Sequence, residues 1–418
     1  MNTLSYLIYN IAVFFYATFI KVASVFNLKA KLFIEGRKNI FDVISSKLNN
    51  DPSEKIWFHC SSLGEFEQAR PLIENIKQNH IEYKIIVTFF SPSGYEIRKN
   101  YELADYVFYL PIDTISNAKS LINLFNPNKV FFVKYEFWYH YLNILHQKKI
   151  PIYLISATFL GSQIFFKWYG SFFRNILKKF DIIFTQNDSS KKLLNSIGIE
   201  NVIVSKDTRY DRVAATVKNI KSLPKVELFK QNKKLLVCGS SYIKEETLIL
   251  QLTDNILEER LKIIIAPHEI NGTHLNAIKD LFQHKKICFY STSLHEDLIK
   301  SNILVIDNIG MLSSIYQYAD IALIGGGFGS KGLHNILEAA AFGMPVLFGP
   351  KNHQKYPESI QLINNGSAFV VNTSEEFNQV ISSFIFDTQK HESVSHLSKK
   401  FINENTGATK VILSSIPF

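Results

Sequence analysis

The sequence contains little cysteine and none of the spacing patterns that hold metals. Its 418 residues include three cysteines, Cys60, Cys238 and Cys288, which lie far apart and form no CxxC pair. A disulfide framework or a zinc site needs closely spaced cysteines, so neither is predicted. An HExxH motif and a carboxylate triad are also missing, and we therefore predict no metal site. We interpret the three cysteines as buried thiols of a protein in a reducing compartment.

The positive charge is not collected in a basic arm, and the motifs of nucleic-acid-binding domains are missing. The net charge of +9 implies an acidic partner, which can be an anionic lipid, a phosphorylated substrate or a nucleic acid. Because zinc-finger, RNA-recognition and basic-helix patterns do not occur, nucleic acid is the least favoured of the three. With 46% hydrophobic and 20% charged residues, the chain has the composition of a globular protein long enough for two domains.

One long apolar run lies near the N-terminus, and it lacks the features of a cleavable signal. Residues 4–20 carry no charge, and they are neither preceded by a basic stretch nor followed by a small-residue cleavage site. Basic residues follow the run, and by the positive-inside tendency they keep the rest of the chain in the cytoplasm. We predict a membrane anchor helix over residues 1–28, which either spans the bilayer or lies in its interface. A helix buried in the following domain is the third interpretation.

Apolar strand-like runs alternate with helical stretches over the rest of the chain. Short buried strands are predicted at 56–60, 85–90, 106–110, 130–133, 152–155, 182–185 and 202–204, and again at 235–238, 263–266, 287–290, 303–306, 321–324, 346–348 and 369–371. This alternation predicts two doubly wound, mostly parallel sheets whose ligands bind at the carboxyl ends of the strands.

Composition also predicts where the two domains divide. The polar, lysine-rich stretch 218–234 is predicted to connect an N-terminal domain over residues 29–217 with a C-terminal domain over residues 218–390. The polar tail, residues 391–418, is predicted to form a closing helix that packs back on the first domain.

Two glutamates follow strands of the first predicted sheet. Glu65 comes directly after the first strand, in the first turn of a helix, and Glu136 follows the fourth strand. A helix N-terminus favours an ionised carboxylate, which a general base requires. The alternative is a carboxylate that only complements the helix dipole. Arg209, after the last strand of this domain, is positioned to face an anion.

A glycine-rich stretch, residues 325–332, lies between a strand and a helix of the second domain. Glycine lets the backbone approach a ligand, and the N–H groups at the start of the helix suit a phosphate. Glu338, in the first turn, can accept hydrogen bonds from ribose hydroxyls. The pattern is neither the Rossmann GxGxxG nor a phosphate loop ending in GK[ST], and a tight turn without a ligand is the alternative. Polar residues at other strand ends favour a nucleotide site.

The sequence resembles the GT-B glycosyltransferases, and specifically the Kdo (3-deoxy-D-manno-octulosonic acid) transferases of lipopolysaccharide biosynthesis. The motifs that carry the resemblance are, in chain order, IWFHCSSLGEFEQARPLI, VKYEFW, LISATFLGS, CGSSYIKEE, IDNIGMLSSIYQYADIALIGGGF and GLHNILEAAAFGMPVLFGP. With the apolar N-terminal segment they cover nearly the whole chain. The resemblance implies an α/β GT-B fold, in which two Rossmann-like doubly wound domains face a central cleft and follow a hydrophobic anchor helix.

The resemblance also implies roles for individual residues. The glutamate of the first motif, Glu65, corresponds to the proton acceptor of the family, and Glu136 corresponds to a glutamate that assists at the transition state. A lysine shares that role in the family, and Arg209 stands at the matching place. Three family segments bind cytidine monophosphate (CMP), and they correspond here to Pro267-His268, Ile309-Gly310-Met311 and Asn335-Ile336-Leu337-Glu338. The family usually has Pro-Arg-His at the first segment, and this chain lacks the arginine.

We therefore expect a membrane-associated, inverting glycosyltransferase that attaches Kdo from CMP-Kdo to the lipid A precursor, lipid IVA. The expected partners are CMP-Kdo, the lipid A precursor and a membrane surface, without nucleic acid and without a cofactor or metal. The expected location is the cytoplasmic side of the inner membrane. The alternatives are another GT-B transferase that uses a UDP-sugar on a lipid-linked acceptor, and a membrane-bound nucleotide sensor without enzymatic activity.

Overall fold

Two α/β units make up the chain. The computed structural model describes residues 3–252 and 260–418. The first unit consists of Met1–Arg212 together with Thr406–Phe418, and the second unit consists of Val213–Asn405.

The first unit is built on a parallel sheet of seven strands in the order β3-β2-β1-β4-β5-β6-β7. The strands are β1 Lys55–Cys60, β2 Lys84–Phe89, β3 Tyr106–Tyr109, β4 Lys129–Val133, β5 Ile152–Ala157, β6 Ile182–Thr185 and β7 Val202–Val204. Every residue of β1, β4 and β5 is buried, as expected for strands that helices cover on both faces. The predicted strands of this domain are confirmed.

Helices cover the sheet of the first unit. They are α1 Thr3–Ala23, α2 Leu28–Glu35, α3 Ile40–Leu48, α4 Leu63–Asn79, α5 Pro92–Arg98, α6 Ile115–Phe125, α7 Tyr139–Gln147, α8 Ser171–Leu177, α9 Asp188–Asn195 and α10 Thr208–Lys218, with a short 3-10 turn at Ile164–Phe166. The sequence sets several of their ends. The side chain of Thr114, for example, accepts the N–H of Asn117 and caps the start of α6.

The second unit repeats the plan with a parallel sheet in the order β10-β11-β9-β8-β12-β13-β14. The strands are β8 Lys234–Ser241, β9 Leu261–Pro267, β10 Ile287–Phe289, β11 Ile303–Val305, β12 Ile321–Ile324, β13 Val346–Phe348 and β14 Ala368–Val370. The described helices are α11 Pro224–Lys230, α12 Ile243–Leu250, α13 Gly272–Leu281, α14 His295–Lys300, α15 Leu312–Ile315, α16 Ile336–Ala341, α17 Pro357–Asn364, α18 Ser374–Phe386 and α19 Thr388–Asn405, with 3-10 turns at Tyr316–Tyr318 and His353–Lys355.

Each sheet reverses its strand order at one position, and the predicted site residues lie there. In the first sheet the reversal lies between β1 and β4, which pair directly. In the second sheet it lies between β8 and β12, which also pair directly. The carboxyl ends of the strands at such a switch point diverge into loops on opposite sides, which leaves a crevice for a ligand. Glu65 and Glu136 follow β1 and β4, and the glycine stretch follows β12.

Helix α1 packs one of its faces on the first unit. Tyr6, Tyr9 and Ile20 contact the core of this unit, and the Tyr9 hydroxyl donates to the carboxylate of Asp113. The imidazole Nε2 of His140 lies 2.9 Å from Oδ1 of Asn10. The opposite face of α1 is apolar and exposed, with Leu4, Leu7, Ile8, Ile11, Phe14, Phe15, Phe19 and Val22. The packed residues recur at helical spacing over most of the length of α1.

The stretches predicted as connection and tail have more structure than expected. Residues 218–234 contain α11, whose Val226 and Phe229 are fully buried. The tail forms two helices, because α19 packs on α16 in the second unit and α20, Ala408–Ser414, packs on α4 in the first. Ile412 and Ile416 of this last segment are buried in the core beside α4. The division between the units falls within α10.

Candidate active site

Glu65 lies in the first turn of α4, where the backbone after β1 enters the helix. Its carboxylate accepts the backbone N–H of Ser61 and, at 3.2 Å, the N–H of Ser62. These donors stabilise the ionised form, as the sequence predicts for a helix start. Burial and the negative charge of Glu136 act in the opposite direction and raise the pKa of Glu65 from 4.5 to about 7. Glu65 is therefore a carboxylate that exchanges its proton near neutral pH, which suits a general base.

Glu136 is held in the buried end of the loop after β4. Its Oε2 atom accepts the indole N–H of Trp138 at 2.6 Å and lies 3.0 Å from Nε2 of His59. The side chain is only 6% exposed, and His59 is fully buried. A buried carboxylate needs hydrogen-bond donors, and Trp138 and His59 supply them.

Two basic residues, Lys134 and Arg209, follow strands of the same sheet. Lys134, in the loop between β4 and Glu136, has a left-handed backbone with φ of 62°, which is uncommon for a residue other than glycine. Its positive charge lowers the pKa of Glu65 and partly offsets the effect of Glu136. Arg209, in the first turn of α10, places Nε 2.9 Å and Nη2 2.8 Å from Oδ2 of Asp207. Any anion bound by Arg209 would share the guanidinium with Asp207.

The second unit has a cavity of about 240 Å³ at the carboxyl ends of β8, β9 and β11. Its lining includes Pro267 and His268 after β9, Ile309 and Gly310 after β11, and Ser240 at the end of β8. Gly310 has φ of 88°, and a side chain at this position would meet no atom within 4 Å. Two of the three segments predicted to bind CMP thus line one cavity, although Met311 is not among its lining residues.

The third predicted segment lies next to the cavity, because His334, the residue before it, contacts His268 in the cavity lining. The ring of His334 contacts that of His268 at a tilt of 34° with centroids 4.3 Å apart, and its Nε2 lies 3.0 Å from the hydroxyl of Tyr242. Burial and the neighbouring His268 lower the pKa of His334 to about 4, so its imidazole is neutral at physiological pH. Asn335 and Glu338 hydrogen-bond to each other at 3.0 Å. Ile336 and Leu337 are buried, so only their backbone is available to a ligand.

The glycine stretch is held largely by contacts within the protein. The N–H of Gly325 donates to the carbonyl of Gly239 at 2.9 Å, and the N–H of Gly326 donates to the carboxylate of Glu245 at 2.9 Å. A Cβ atom at Gly325 or Gly326 would lie 1.9 Å from a backbone oxygen. These two glycines are therefore required for close packing of the turn, and their N–H groups already have acceptors. A phosphate would bind through other groups of the cavity.

Relatives of known activity share this sequence over most of its length. Residues 36–212 match the family model described as 3-deoxy-D-manno-octulosonic-acid transferase (kdotransferase), and the match ends where the first unit meets the second. The 3-deoxy-D-manno-octulosonic acid transferase of Aquifex aeolicus is 27% identical over 326 residues, which cover 77% of this chain and 83% of the relative. That of Haemophilus influenzae is 25% identical over 376 residues, which cover 87% of this chain and 86% of the relative. The first unit thus matches the Kdo transferase model, and the chain is similar to Kdo transferases over most of its length.

Solved structures support the GT-B architecture. The UDP-GlcNAc 2-epimerase of Neisseria meningitidis has a TM-score of 0.62 at 18% identity and covers 86% of this chain and 98% of its own. MurG of Acinetobacter baumannii has a TM-score of 0.54 at 12% identity and covers 87% of this chain and 99% of its own. At these identities the likeness concerns the fold alone. The predicted GT-B fold class of two Rossmann-like units is confirmed. The similarity to Kdo transferases indicates a glycosyltransferase.

The structure brings several predicted site residues together, although their roles stay predictions. Glu65 and Glu136 interact electrostatically at the first switch point, and Pro267, His268, Ile309 and Gly310 line the cavity of the second unit. Sequence reasoning missed His59, Lys134, Tyr242 and His334, and it considered Trp138 only as a wall of a sugar or lipid pocket or as part of the core. Apart from Tyr242, they all lie within a few residues of a predicted site residue, and His59, Trp138 and Lys134 fall in motifs that also contain Glu65 or Glu136.

The apolar N-terminal segment is the candidate anchor of this glycosyltransferase. Within the described residues, Leu4–Ala23 forms one helix that is long and apolar enough to cross a membrane. In the same part of the chain, no group of three or more His, Cys, Asp or Glu side chains is arranged to hold a metal ion.

Proposed function

We propose that the protein transfers Kdo from CMP-Kdo to the lipid A precursor with inversion at the anomeric carbon. The observation that carries this proposal is Glu65, a partly buried carboxylate with a pKa near neutrality beside a second carboxylate. A base with this pKa is about half ionised at pH 7, and it is basic enough to accept a proton in the transition state. The family relationship supports Kdo as the transferred sugar.

In the proposed reaction a hydroxyl of the acceptor attacks the anomeric carbon of Kdo. Glu65 accepts the hydroxyl proton as the new carbon–oxygen bond forms, and the bond from the anomeric carbon to the phosphate of CMP breaks with its electron pair on the phosphate. A single displacement of this kind inverts the configuration. Glu136, Lys134 and Arg209 set the charge around the reacting atoms, because their charges lie at the carboxyl end of the same sheet.

The second unit is proposed to bind CMP at the cavity beside His268. A volume of about 240 Å³ suits a pyrimidine ring with part of its ribose. His268, Tyr242 and His334 form a polar aromatic cluster at its edge, and this cluster supplies N–H and O–H donors where the family arginine is missing. No metal or cofactor is part of the proposal.

We further propose that α1 lies in the interface of the cytoplasmic leaflet of the inner membrane. The packed face of α1 is tied to the first unit by Tyr9 and Asn10, so the helix cannot cross a bilayer without this unit. Its opposite face carries eight exposed apolar side chains, from Leu4 to Val22. A helix with one face on a domain and one apolar face free is the arrangement of an in-plane anchor. The net charge of +9 suits an anionic lipid acceptor.

The test is incubation of the full chain, in lipid vesicles, with CMP-Kdo and lipid IVA, with the products identified by mass spectrometry. The expected product carries added Kdo, and a panel of UDP-sugars is expected to give none. Glu65→Ala is expected to abolish transfer while CMP binding stays near the wild-type level. Transfer from a UDP-sugar but not from CMP-Kdo would replace the proposed donor. Binding of CMP without transfer to any acceptor would favour the sensor.

A further inference from the structure

A chain of hydrogen bonds reaches Glu136 from the interior of the first sheet. Trp57 and His59 lie two residues apart on β1 and point to the same face, and Thr88 on β2 is the direct partner of His59. The Trp57 indole N–H donates to the Thr88 hydroxyl at 2.8 Å, and this hydroxyl lies 2.9 Å from Nδ1 of His59. Nε2 of the same imidazole lies 3.0 Å from Glu136. Trp57, His59 and Thr88 are fully buried.

The arrangement determines where the imidazole proton lies. Because the Thr88 oxygen accepts the N–H of Trp57, its own hydrogen is free to point at Nδ1 of His59, which then acts as an acceptor. The single proton of a neutral imidazole is therefore on Nε2, where it faces a carboxylate oxygen of Glu136. Trp138 Nε1 lies 3.1 Å from Nε2 of His59 and 2.6 Å from Oε2 of Glu136. The indole N–H of Trp138 therefore donates to Glu136 and leaves the proton on Nε2 of His59 undisturbed. Each polar hydrogen of the side chains in this network, those of Trp57, Thr88, His59 and Trp138, then has an acceptor.

We propose that His59 is a positioning residue for Kdo transfer, whose Nε2–H holds the carboxylate of Glu136 in a fixed orientation near Glu65. Thr88 fixes the tautomer that makes this possible. His59 does not touch the substrates in this scheme, because it is fully buried behind Glu136. Its contribution is electrostatic, since the raised pKa of Glu65 comes first from burial and then from its interaction with Glu136, whose position His59 fixes. The inference rests on the proposed role of Glu65 as the base.

The charged groups around the pair define the expected pH dependence. Glu136 raises and Lys134 lowers the pKa of Glu65, and the backbone N–H groups of Ser61 and Ser62 lower it. Cys60, on β1 next to His59, stays a neutral thiol because burial raises its pKa. When the N–H donor at position 59 is removed, the carboxylate of Glu136 is no longer held in place, and its effect in raising the pKa of Glu65 becomes weaker. Glu65 then remains ionised to lower pH.

Two substitutions of His59 separate this role from simple core packing. In His59→Gln the side-chain amide N–H occupies roughly the place of Nε2 and can donate to Glu136, whereas His59→Phe fills the space without a donor. Thr88→Val removes the hydroxyl that fixes the tautomer and keeps the side-chain shape. The three variants and the wild type are assayed in vesicles for kcat and KM with CMP-Kdo from pH 5 to pH 9. A circular dichroism spectrum and a thermal unfolding transition like those of the wild type confirm that each variant is folded.

The expected result is a split between the two His59 variants. His59→Phe lowers kcat about tenfold or more and moves the acidic limb of the kcat profile to lower pH, while the KM for CMP-Kdo is unchanged. His59→Gln keeps the wild-type limb and most of kcat, and Thr88→Val gives an intermediate profile. Equal kcat and an unmoved limb in His59→Phe would overturn the inference, as would equal loss in Phe and Gln variants that unfold like the wild type. Full activity of Glu65→Ala would instead refute the proposed function, and the two failures are thus distinguishable.

Discussion

Replacing Glu65 with glutamine is predicted to remove activity and, at alkaline pH, to stabilise the protein. The wild-type carboxylate is ionised at pH 8 in a partly buried position beside Glu136. Glutamine keeps the shape and still accepts the N–H groups of Ser61 and Ser62, but it carries no charge. The unfavourable burial of two like charges is therefore relieved in the variant.

The magnitude follows from the pKa of Glu65. Because its pKa rises from 4.5 in the unfolded chain to about 7 in the folded one, the folded state holds this proton more tightly. The stability that this proton contributes is complete below about pH 4.5 and is lost as the pH rises through 7. The difference between the two pKa values corresponds to roughly 3 kcal/mol of unfolding free energy, at about 1.36 kcal/mol per pKa unit. Partial exposure and the weaker hydrogen bonds of an amide reduce the expected gain to about 1–2 kcal/mol at pH 8.

The assay compares thermal unfolding of wild type and Glu65→Gln at pH 8 and pH 5, with transfer measured in parallel. A gain of about 1–2 kcal/mol raises the unfolding midpoint of a unit of this size by about 2–6 °C at pH 8, with much less difference at pH 5. Transfer should fall by about 10²–10⁴-fold, the range of a lost general base. Glu102→Gln, an exposed site in the same unit, is the matched control and should change neither property. An equal or lower midpoint for Glu65→Gln at pH 8 would refute the reasoning.

Three further predictions concern the second unit and the anchor. Gly326→Ala should destabilise the second unit by about 1–3 kcal/mol in thermal unfolding, since φ is 89° and a Cβ atom would lie 1.9 Å from a backbone oxygen. Gly272→Ala, where a Cβ atom meets nothing within 4 Å, should leave the midpoint almost unchanged. His268→Ala should weaken CMP binding about tenfold in calorimetry without changing the unfolding midpoint, and unchanged affinity would remove His268 from the donor site. Phe19→Asp, at a side chain 72% exposed on α1, should reduce binding to anionic vesicles in a flotation assay. Ile81→Asp, 78% exposed outside α1, should bind like the wild type.

The elements of both sheets could be predicted because a buried parallel strand has an unmistakable pattern. Runs such as residues 130–133 and 321–324 are entirely apolar and end in polar or small residues, so strand and loop are separated by composition alone. The positions of Glu65 and Glu136 could be predicted for the same reason. A residue directly after a parallel strand lies at the carboxyl edge of the sheet, and two such strands that are neighbours bring their loops together.

Contacts across the fold could not be predicted from sequence spacing. His59 looks like an ordinary strand residue until Thr88 and Glu136, from two other strands, are found on either side of its ring. The glycine stretch looks like a phosphate loop, but the N–H of Gly326 donates to the carboxylate of Glu245, which lies 81 residues earlier in the sequence. The sequence also predicts an ionised Glu65 from its helix start, whereas burial and Glu136 outweigh the helix donors. In each case a distant side chain decides the chemistry.

The last residues of the chain complete the core of the first unit, and this has a consequence for synthesis in the cell. Ile412 and Ile416 are buried beside α4, and Phe418 stacks on the ring of His80 with centroids 4.3 Å apart. The apolar surface beneath these residues therefore stays exposed until residues 412–418 have been made. The unit that is synthesised first can be completed only after the whole of the second unit has been synthesised.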